Sequence, residues 1–505
     1  MEYFQHSNLN TDLVVCVVLG IIFVGFIAAR LSTRARLPLP PGPPGQFFSG
    51  NAHQLPSGPG GRQYLEWSKS YGDVLHLRNW SSHIIVLNSE KAIRDLFARR
   101  AENYSDRVQT PMYCDPSLVD RGKTVFSTNY GERFRRYSKL LHQALSKSAI
   151  AAYEGVQAEA TDRMLTDIAR KPEAFVQHIR ACTTRIILKV AYGYDLTVPE
   201  DGGEDYFVKL VEESIALGNE SFKPGRWLVN SFPILRHVPE WMPGAGFKRW
   251  ARGARVKLHE MTRAPIEMVK QQMAEGTAAP SFVSRNLEEG ADQETLTWVA
   301  AALYVGGADT TVAALSTFVL LMVRYPEVQR KAQAELAALG RLPTAEDRPR
   351  LPYVEAVMKE CMRYNTIGPM ALAHCARRED EYAGIRIPRG ATVYSNIWAV
   401  TRDERIYSDP EVFRPERFIG EKAERDPWDI IFGFGLRRCP GRYLADATLF
   451  IAIAKLLAAF EFRPEVDAAG RETIPLEQWT SGPNCGPKPF QCQIIARPNE
   501  ALLSL

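Results

Sequence analysis

The chain has 505 residues, 45% hydrophobic and 24% charged, with 62 basic against 58 acidic side chains and a net charge of +4. Near-average Gly and Pro exclude a collagen-like or broadly disordered polymer, and eight cysteines are too few for a disulfide scaffold. The small charge, with no long Lys/Arg run, argues against a nucleic-acid partner, and the length permits either about three domains or one large core.

Residues 13–29 read LVVCVVLGIIFVGFIAA, without a charge. That is at the short end of the roughly 17–25 residues a membrane-spanning helix needs. Glu2 and Asp12 precede the run, while Arg30, Arg34 and Arg36 follow it. This asymmetry predicts a retained single-pass N-terminal anchor over 1–36, with everything after it in the cytosol. Residues 37–45, LPLPPGPPG, cannot continue a helix and form a semi-rigid, extended hinge. Residues 46–505 show no second linker or repeat and are expected to be one domain, mainly α with a small β part. Two strands, 74–77 and 84–87, flank a turn at 79–82. Helical periodicity covers 131–146, 172–193, 247–274, 293–324, 326–339, 352–364 and 441–460, and strand-like stretches return at 384–395 and 489–496.

The most informative segment is Phe432-Gly433-Phe434-Gly435-Leu436-Arg437-Arg438-Cys439-Pro440-Gly441, which fits F-x-x-G-x-R-x-C-x-G. Its glycines allow tight turns and close approach of a flat ligand. Cys439 stands before Pro440, a residue favoured in the first turn of a helix, so free backbone N–H groups favour a thiolate there. A thiolate in that place can ligate haem iron, and Arg437 can pair with a propionate. No other cysteine or histidine has metal-site spacing.

This loop resembles the haem-binding signature of the cytochrome P450 superfamily of haem-thiolate monooxygenases. The resemblance implies the P450 fold, a haem b cofactor with Cys439 as its metal ligand, and cofactor contacts from Arg437, Phe432 and Gly433. Gly306-Gly307-Ala308-Asp309-Thr310-Thr311, in the middle of a long apolar helix, is similar to the family's [AG]-G-x-[DE]-T-[TS] segment. A Thr310 hydroxyl can bond the Gly306 carbonyl and open the helix locally. By resemblance, Thr310 contacts iron-bound dioxygen and Asp309 relays protons from solvent. Glu360-Cys361-Met362-Arg363 and Pro415-Glu416-Arg417-Phe418 resemble the E-x-x-R and P-E-R-F motifs, which implies a structural trio of Glu360, Arg363 and Arg417. Departures are equally legible. Where many members carry W-x-x-x-R against a propionate, this chain has Phe134 and Ser138. Thr366 replaces a common proline, and His374 stands where members often contact a propionate.

Arg135, Arg136, Lys139, Arg437, Arg438 and Arg442 are expected to form a basic face for an acidic electron donor. The resemblance implies NADPH-cytochrome P450 reductase, with cytochrome b5 as a further donor, and an endoplasmic-reticulum location. Residues 222–250, rich in Trp, Phe and Pro, suit a substrate entrance dipping into lipid. Segments 104–126, 298–310, 367–373 and 481–487 would line a pocket for O2 and a small apolar substrate. The pattern looks most like fungal members that tailor secondary metabolites such as terpenoids, polyketides or indoles. The alternatives are an O2-independent haem-thiolate isomerase or dehydratase, and a non-catalytic haem-binding membrane protein.

Overall fold

An amphipathic stripe is missing from the long helix over 293–324, because its apolar residues run all the way round. Such a helix must be buried on every side. In the computed structural model it is α7, Gln293–Arg324, capped by Asp292 accepting from the Thr295 N–H at 2.9 Å, and every residue from Ala314 to Val323 is buried. The structure describes residue 20, and residues 37–497 apart from 57, 59, 197–204, 224 and 468–469. The expected anchor, save residue 20, lies outside the described residues. Among the described residues only α7 is long and apolar enough to cross a membrane, and 61% of its most apolar window is buried inside the protein. It is the central beam of a core.

The other predicted helices are present: α2 Glu132–Leu145, α4 Phe175–Tyr192, α6 Gly246–Glu275, α8 Pro326–Ala337, α9 Pro352–Tyr364 and α10 Arg442–Ala459. Three long helices had no expectation: α1 Gly61–Tyr71, α3 Glu154–Arg170 and α5 Tyr206–Phe222. The inner stripe of α3 is built partly from Gln157 and Thr161, so a search for apolar residues passes over it. Gln157 donates to Thr448 Oγ1 at 2.8 Å inside the core. The start of α5 is set by Asp205, whose carboxylate accepts from the Phe207 and Val208 N–H groups.

One contiguous apolar cluster runs from Tyr137 to Ile494, through α3, α4, α7, α9 and α10. Smaller clusters lie under the sheet, around Met112 and Trp227, and around Tyr64 and Leu75; the body is mainly helical with small sheets. The hairpin forms as β1 Val74–Asn79 against β2 Ser82–Leu87, turning at Trp80 with φ 53°. Then β2 runs parallel to β5, Thr392–Ser395; β5 pairs antiparallel with β4, His374–Cys375, and β4 with β3, Asp106–Arg107. The sheet order is therefore β1-β2-β5-β4-β3. Its last pairing sets Arg107 opposite His374. Residues 37–45 are extended, as expected, but they are docked rather than free. The Pro41 and Pro38 carbonyls accept from the His76 and Arg386 N–H groups at 3.0 and 2.8 Å. A Cβ at Gly42 would lie 2.0 Å from the His76 oxygen, so only glycine passes there.

Near α9 the two Arg residues of the expected trio converge on one carboxylate. Arg363 donates through Nε and Nη2 to Glu360 at 2.7 and 2.8 Å, and Arg417 Nε reaches Glu360 Oε1 at 3.1 Å, with all three side chains fully buried. Truncating one member of such a network leaves a buried charge unpaired, at roughly 3–5 kcal/mol. Arg363→Ala should therefore lose at least about 3 kcal/mol of unfolding free energy and retain no haem. A urea midpoint and haem content equal to the parent would contradict this.

Candidate active site

The cysteine loop takes its shape from backbone that only glycine can adopt. Gly435 has φ +64°, and a Cβ there would lie 1.8 Å from the Phe97 carbonyl oxygen. Phe97 belongs to a π-helical turn, Arg94–Arg99. The loop is closed by the Cys439 N–H donating to the Phe432 carbonyl at 2.8 Å. The Phe432 ring is stacked on Trp428 with centroids 4.9 Å apart. Helix α10 starts at Arg442, with Gly441 as its cap. Pro440 therefore precedes the cap instead of sitting in the first turn, because the chain makes one more turn before the helix begins. The Gly441 N–H still reaches the Cys439 sulfur, and Arg442 and Arg438 add positive charge. Burial outweighs them and pushes the Cys439 thiol up from its ordinary value. A ligated cation supplies what is missing, since a coordinating thiol is deprotonated outright.

Beside this loop lie two guanidinium groups with no carboxylate within ion-pair distance among the described residues; Asp106 acts on Arg437 only from further away. Arg437 turns inward and donates to the carbonyls of Ser105 at 2.9 Å, Val125 at 3.3 Å and Thr128. Its guanidinium lies 4.0 Å from the centre of the Phe134 ring. Arg107 donates to the Leu372 and Ala373 carbonyls at 2.7 and 2.9 Å, while its Nε is buried with no partner. Burial lowers Arg437 to about 10, and burial together with the nearby Arg437 charge lowers Arg107 to about 9. Two buried like charges of this kind are costly unless anions meet them. The two propionates of a haem fit, and the open-sided glycine loop fits a flat ring. Among the described residues no group of three or more His, Cys, Asp or Glu could hold a bare metal ion. An iron held by Cys439 must therefore bring its other ligands with it.

His374 stacks on Phe97 at 3.9 Å, and its Nδ1 bonds the Tyr104 carbonyl. A carbonyl only accepts, so Nδ1 carries the hydrogen. Burial first, and then Arg107 and Arg437, hold His374 well below its ordinary value. Arg107, opposite it across the β3–β4 pair, is a second candidate to meet a propionate on this side. Arg107 escaped the sequence reading because a two-residue strand has no period to detect. Phe134 cannot donate either, but its ring seats Arg437. Lys139 is exposed, as are Arg135 and Arg136. Arg437 leaves the expected basic face altogether, and Arg442 partly does so by donating to the Cys439 carbonyl at 3.2 Å.

On the helix α7 side, the Thr310 hydroxyl donates to the Gly306 carbonyl at 2.9 Å, as the spacing predicts. The helix nevertheless continues unbroken through this point, so the expected local opening is not seen. A Cβ at Gly307 would meet Ile187 of α4 at 2.9 Å, whereas one at Gly306 would meet only Phe126 at 3.9 Å. Gly307 thus serves close packing and Gly306 leaves space. The Asp309 carboxylate is part-exposed, with Arg180 Nη1 3.7 Å from Oδ1 and Asn484 Nδ2 donating to Oδ2 at 3.2 Å.

The cytochrome P450 family model matches residues 40–485. The chain is 40% identical over 482 residues to cytochrome P450 monooxygenase 208 of Postia placenta, covering 94% of this chain and 93% of that one. It is 38% identical over 496 residues to cytochrome P450 monooxygenase claR of Ampulloclitocybe clavipes, covering 95% and 90%. Tryptamine 4-monooxygenase of Psilocybe cyanescens is 37% identical over 512 residues, covering 98% and 99%.

A charge-assisted hydrogen bond is worth about 1.5–3 kcal/mol. Arg107→Ala and Arg437→Ala should therefore each speed haem transfer to apomyoglobin by at least about tenfold, and Arg107→Lys should recover part of it. Parent-like transfer in Arg107→Ala would place the propionates elsewhere.

Proposed function

The chain belongs to the cytochrome P450 family and is a monooxygenase, and from that premise we propose that it oxidises a small apolar substrate in fungal secondary metabolism. What supports this most directly is the free Cys439 in a glycine-shaped loop beside two guanidiniums, the buried Arg107 and the half-buried Arg437, that have no carboxylate within ion-pair distance among the described residues. When bound, the haem supplies the redox chemistry that activates O2 with two electrons. The protein supplies the rest. Cys439 would ligate the iron through its sulfur, while Arg437 and Arg107 would hold the propionates. Gly306 leaves room on the opposite side. The Thr310 hydroxyl donates to Gly306, so its oxygen lone pairs can accept a hydrogen bond from a water in that gap. Asp309, in contact with solvent, takes a proton from water and passes it inward.

Electrons come from NADPH through the flavoprotein reductase, with cytochrome b5 as a second donor. Exposed Arg135, Arg136 and Lys139 on α2 suit an acidic partner. The name of one relative, tryptamine 4-monooxygenase, makes tryptamine and simple indoles the first compounds to try. A membrane location for the body, near the endoplasmic-reticulum surface, is supported by one exposed apolar face. Ile234 and Trp241 are 73% and 80% exposed, and Trp80 at the hairpin tip touches Phe232 at 5.8 Å. Phe47 and Phe48, just after the hinge, are exposed as well. The complete acid–threonine pair favours the monooxygenase over an O2-independent isomerase, for which that pair would be dispensable.

Reduction of the haem-loaded protein under CO should give the red-shifted Soret band of thiolate ligation, and Cys439→Ser should abolish that band. Thr310→Ala should divert NADPH-derived electrons to peroxide; indifference to this change would favour the isomerase. Charge reversal at Arg135, Arg136 and Lys139 should slow reduction by the reductase and leave substrate-induced spectral shifts intact. An unchanged reduction rate would remove the docking face.

A further inference from the structure

Asp309 is met by two groups from separate elements, one of which is itself held from a third. Its Oδ1 faces Arg180 of α4 at 3.7 Å, and Arg180 is itself held by Glu212 of α5 through Nε at 3.1 Å. Its Oδ2 accepts from the Asn484 side-chain amide at 3.2 Å. Arg180, Glu212 and Asp309 are each about a third exposed, 32, 37 and 30%, so water reaches the cluster.

Asn484 is not on a free surface loop. Thr480 N–H donates to the Gly486 carbonyl at 2.8 Å and Gly486 N–H to Thr480 Oγ1 at 3.1 Å, which closes the loop on itself. Cys485 N–H donates to the Ile367 carbonyl at 2.7 Å, and the Cys485 carbonyl accepts from Asn365, which also bonds Thr317 of α7. A Cβ at Gly486 would lie 3.1 Å from Ala313 Cβ, so the loop backbone lies directly on α7 one turn beyond Asp309. The loop therefore bridges α7 and the segment 365–367, and two of its contacts with α7 lie within one turn, at Asp309 and Ala313.

We propose that Asn484 and Arg180 are positioning residues for proton delivery. They fix the Asp309 carboxylate at its two oxygens, and through Asn484 they tie the order of the 480–486 loop to the proton supply. The inference rests on the reading of Asp309 as the proton carrier. A carboxylate hydrogen-bonded at one oxygen and facing a guanidinium at the other presents one orientation to incoming water, and one released from Asn484 keeps only the looser attraction of Arg180. Arg180 is the looser holder, because Glu212 takes its nearer hydrogens. The carboxylate can therefore accept a proton and hand it on without breaking a tight ion pair. The transfer is neutral overall: one proton enters from water at the carboxylate and one leaves inward. Coupling of two sites is reciprocal. If the loop positions Asp309, then Asp309 must also order the loop.

The test uses haem-loaded protein with its reductase and needs no identified substrate. NADPH oxidation without added substrate is measured in H2O and D2O, with haem content and the CO spectrum checked for each variant. Asp309→Asn should slow oxidation and raise the solvent isotope effect. Asn484→Ala and Arg180→Ala should do the same to a lesser degree, slowing it about fivefold, the loss of about one hydrogen bond, and Arg180→Lys should recover most of the rate. Should Asn484→Ala lose haem, Asn484→Asp keeps the size, sets a second carboxylate against Asp309, and should act in the same direction. Hydrogen exchange supplies a readout apart from turnover. Asp309→Ala should speed deuterium uptake at the Cys485 and Gly486 amides, whereas Thr310→Ala should not. A parent-like isotope effect in the Asn484 and Arg180 variants, with Asp309→Asn impaired, overturns the inference and leaves Asp309 as the carrier. A parent-like Asp309→Asn overturns the carrier itself.

Discussion

Glu360 is a carboxylate with no access to water, and the cysteine side of the molecule depends on how it is neutralised. Two guanidiniums meet it, and their remaining hydrogens go to backbone oxygens. Arg363 donates to the Thr401 and Pro410 carbonyls at 2.9 and 2.8 Å, and Arg417 to Ser408 and Val412 at 2.7 and 3.0 Å. The stretch between Thr401 and Arg417 has little regular structure to satisfy those carbonyls. The ion cluster does so instead, and in doing so fixes the chain that leads into the cysteine loop. A buried ion pair of this kind adds little net stability over an apolar replacement. Its contribution is to specify one course for an irregular segment.

The centre follows the opposite electrostatic rule. Glu360 has more cation than it needs, whereas among the described residues Arg107 and Arg437 have no carboxylate within ion-pair distance, and Asp106 offsets Arg437 only from further away. Each spends its hydrogens on carbonyls, which solvates the guanidinium but does not neutralise it. A ligand that brings two carboxylates and a metal for Cys439 relieves both the cationic repulsion and the burial of the thiol. Part of the free energy of binding then becomes free energy of folding, since the empty site is the costly one.

Much of this was legible. The period of α2, α4, α6, α7, α9 and α10 and the glycine-spaced cysteine loop needed only the sequence, because local rules dictate them. The Thr310 bond to Gly306 was likewise a matter of spacing. Helix α3 was hidden because glutamine and threonine serve as core residues there: Gln157 is bonded to Thr448, 291 positions away, and Thr161 to the Gln157 carbonyl one turn back. Strands β3 and β4 have two residues each, too few to alternate. Arg107 owes its place to that pairing alone. Arg437 is expected both at a propionate and on the basic face, and spacing alone does not choose between the two. Its inward turn, onto the carbonyls of Ser105, Val125 and Thr128, makes that choice.

Phe134 shows how such a departure can be absorbed. The position commonly carries a ring with a hydrogen-bond donor, and this chain keeps the ring and loses the donor. The ring still lies under Arg437, near enough for a cation–π contact. Arg437 is thereby held against the face of a buried aromatic while its hydrogens point to Ser105, Val125 and Thr128. Helix α2 contributes shape to the propionate side, and the charge comes from the cysteine loop and from β3. In the proposed arrangement a donor on β3 sets Arg107 beside β4, where it donates to the Leu372 and Ala373 carbonyls. Ala371, just before them, takes a left-handed backbone at φ 48°. The carbonyls that hold Arg107 are therefore aimed by a strained turn, and substitutions at 371–373 reach the guanidinium through the backbone.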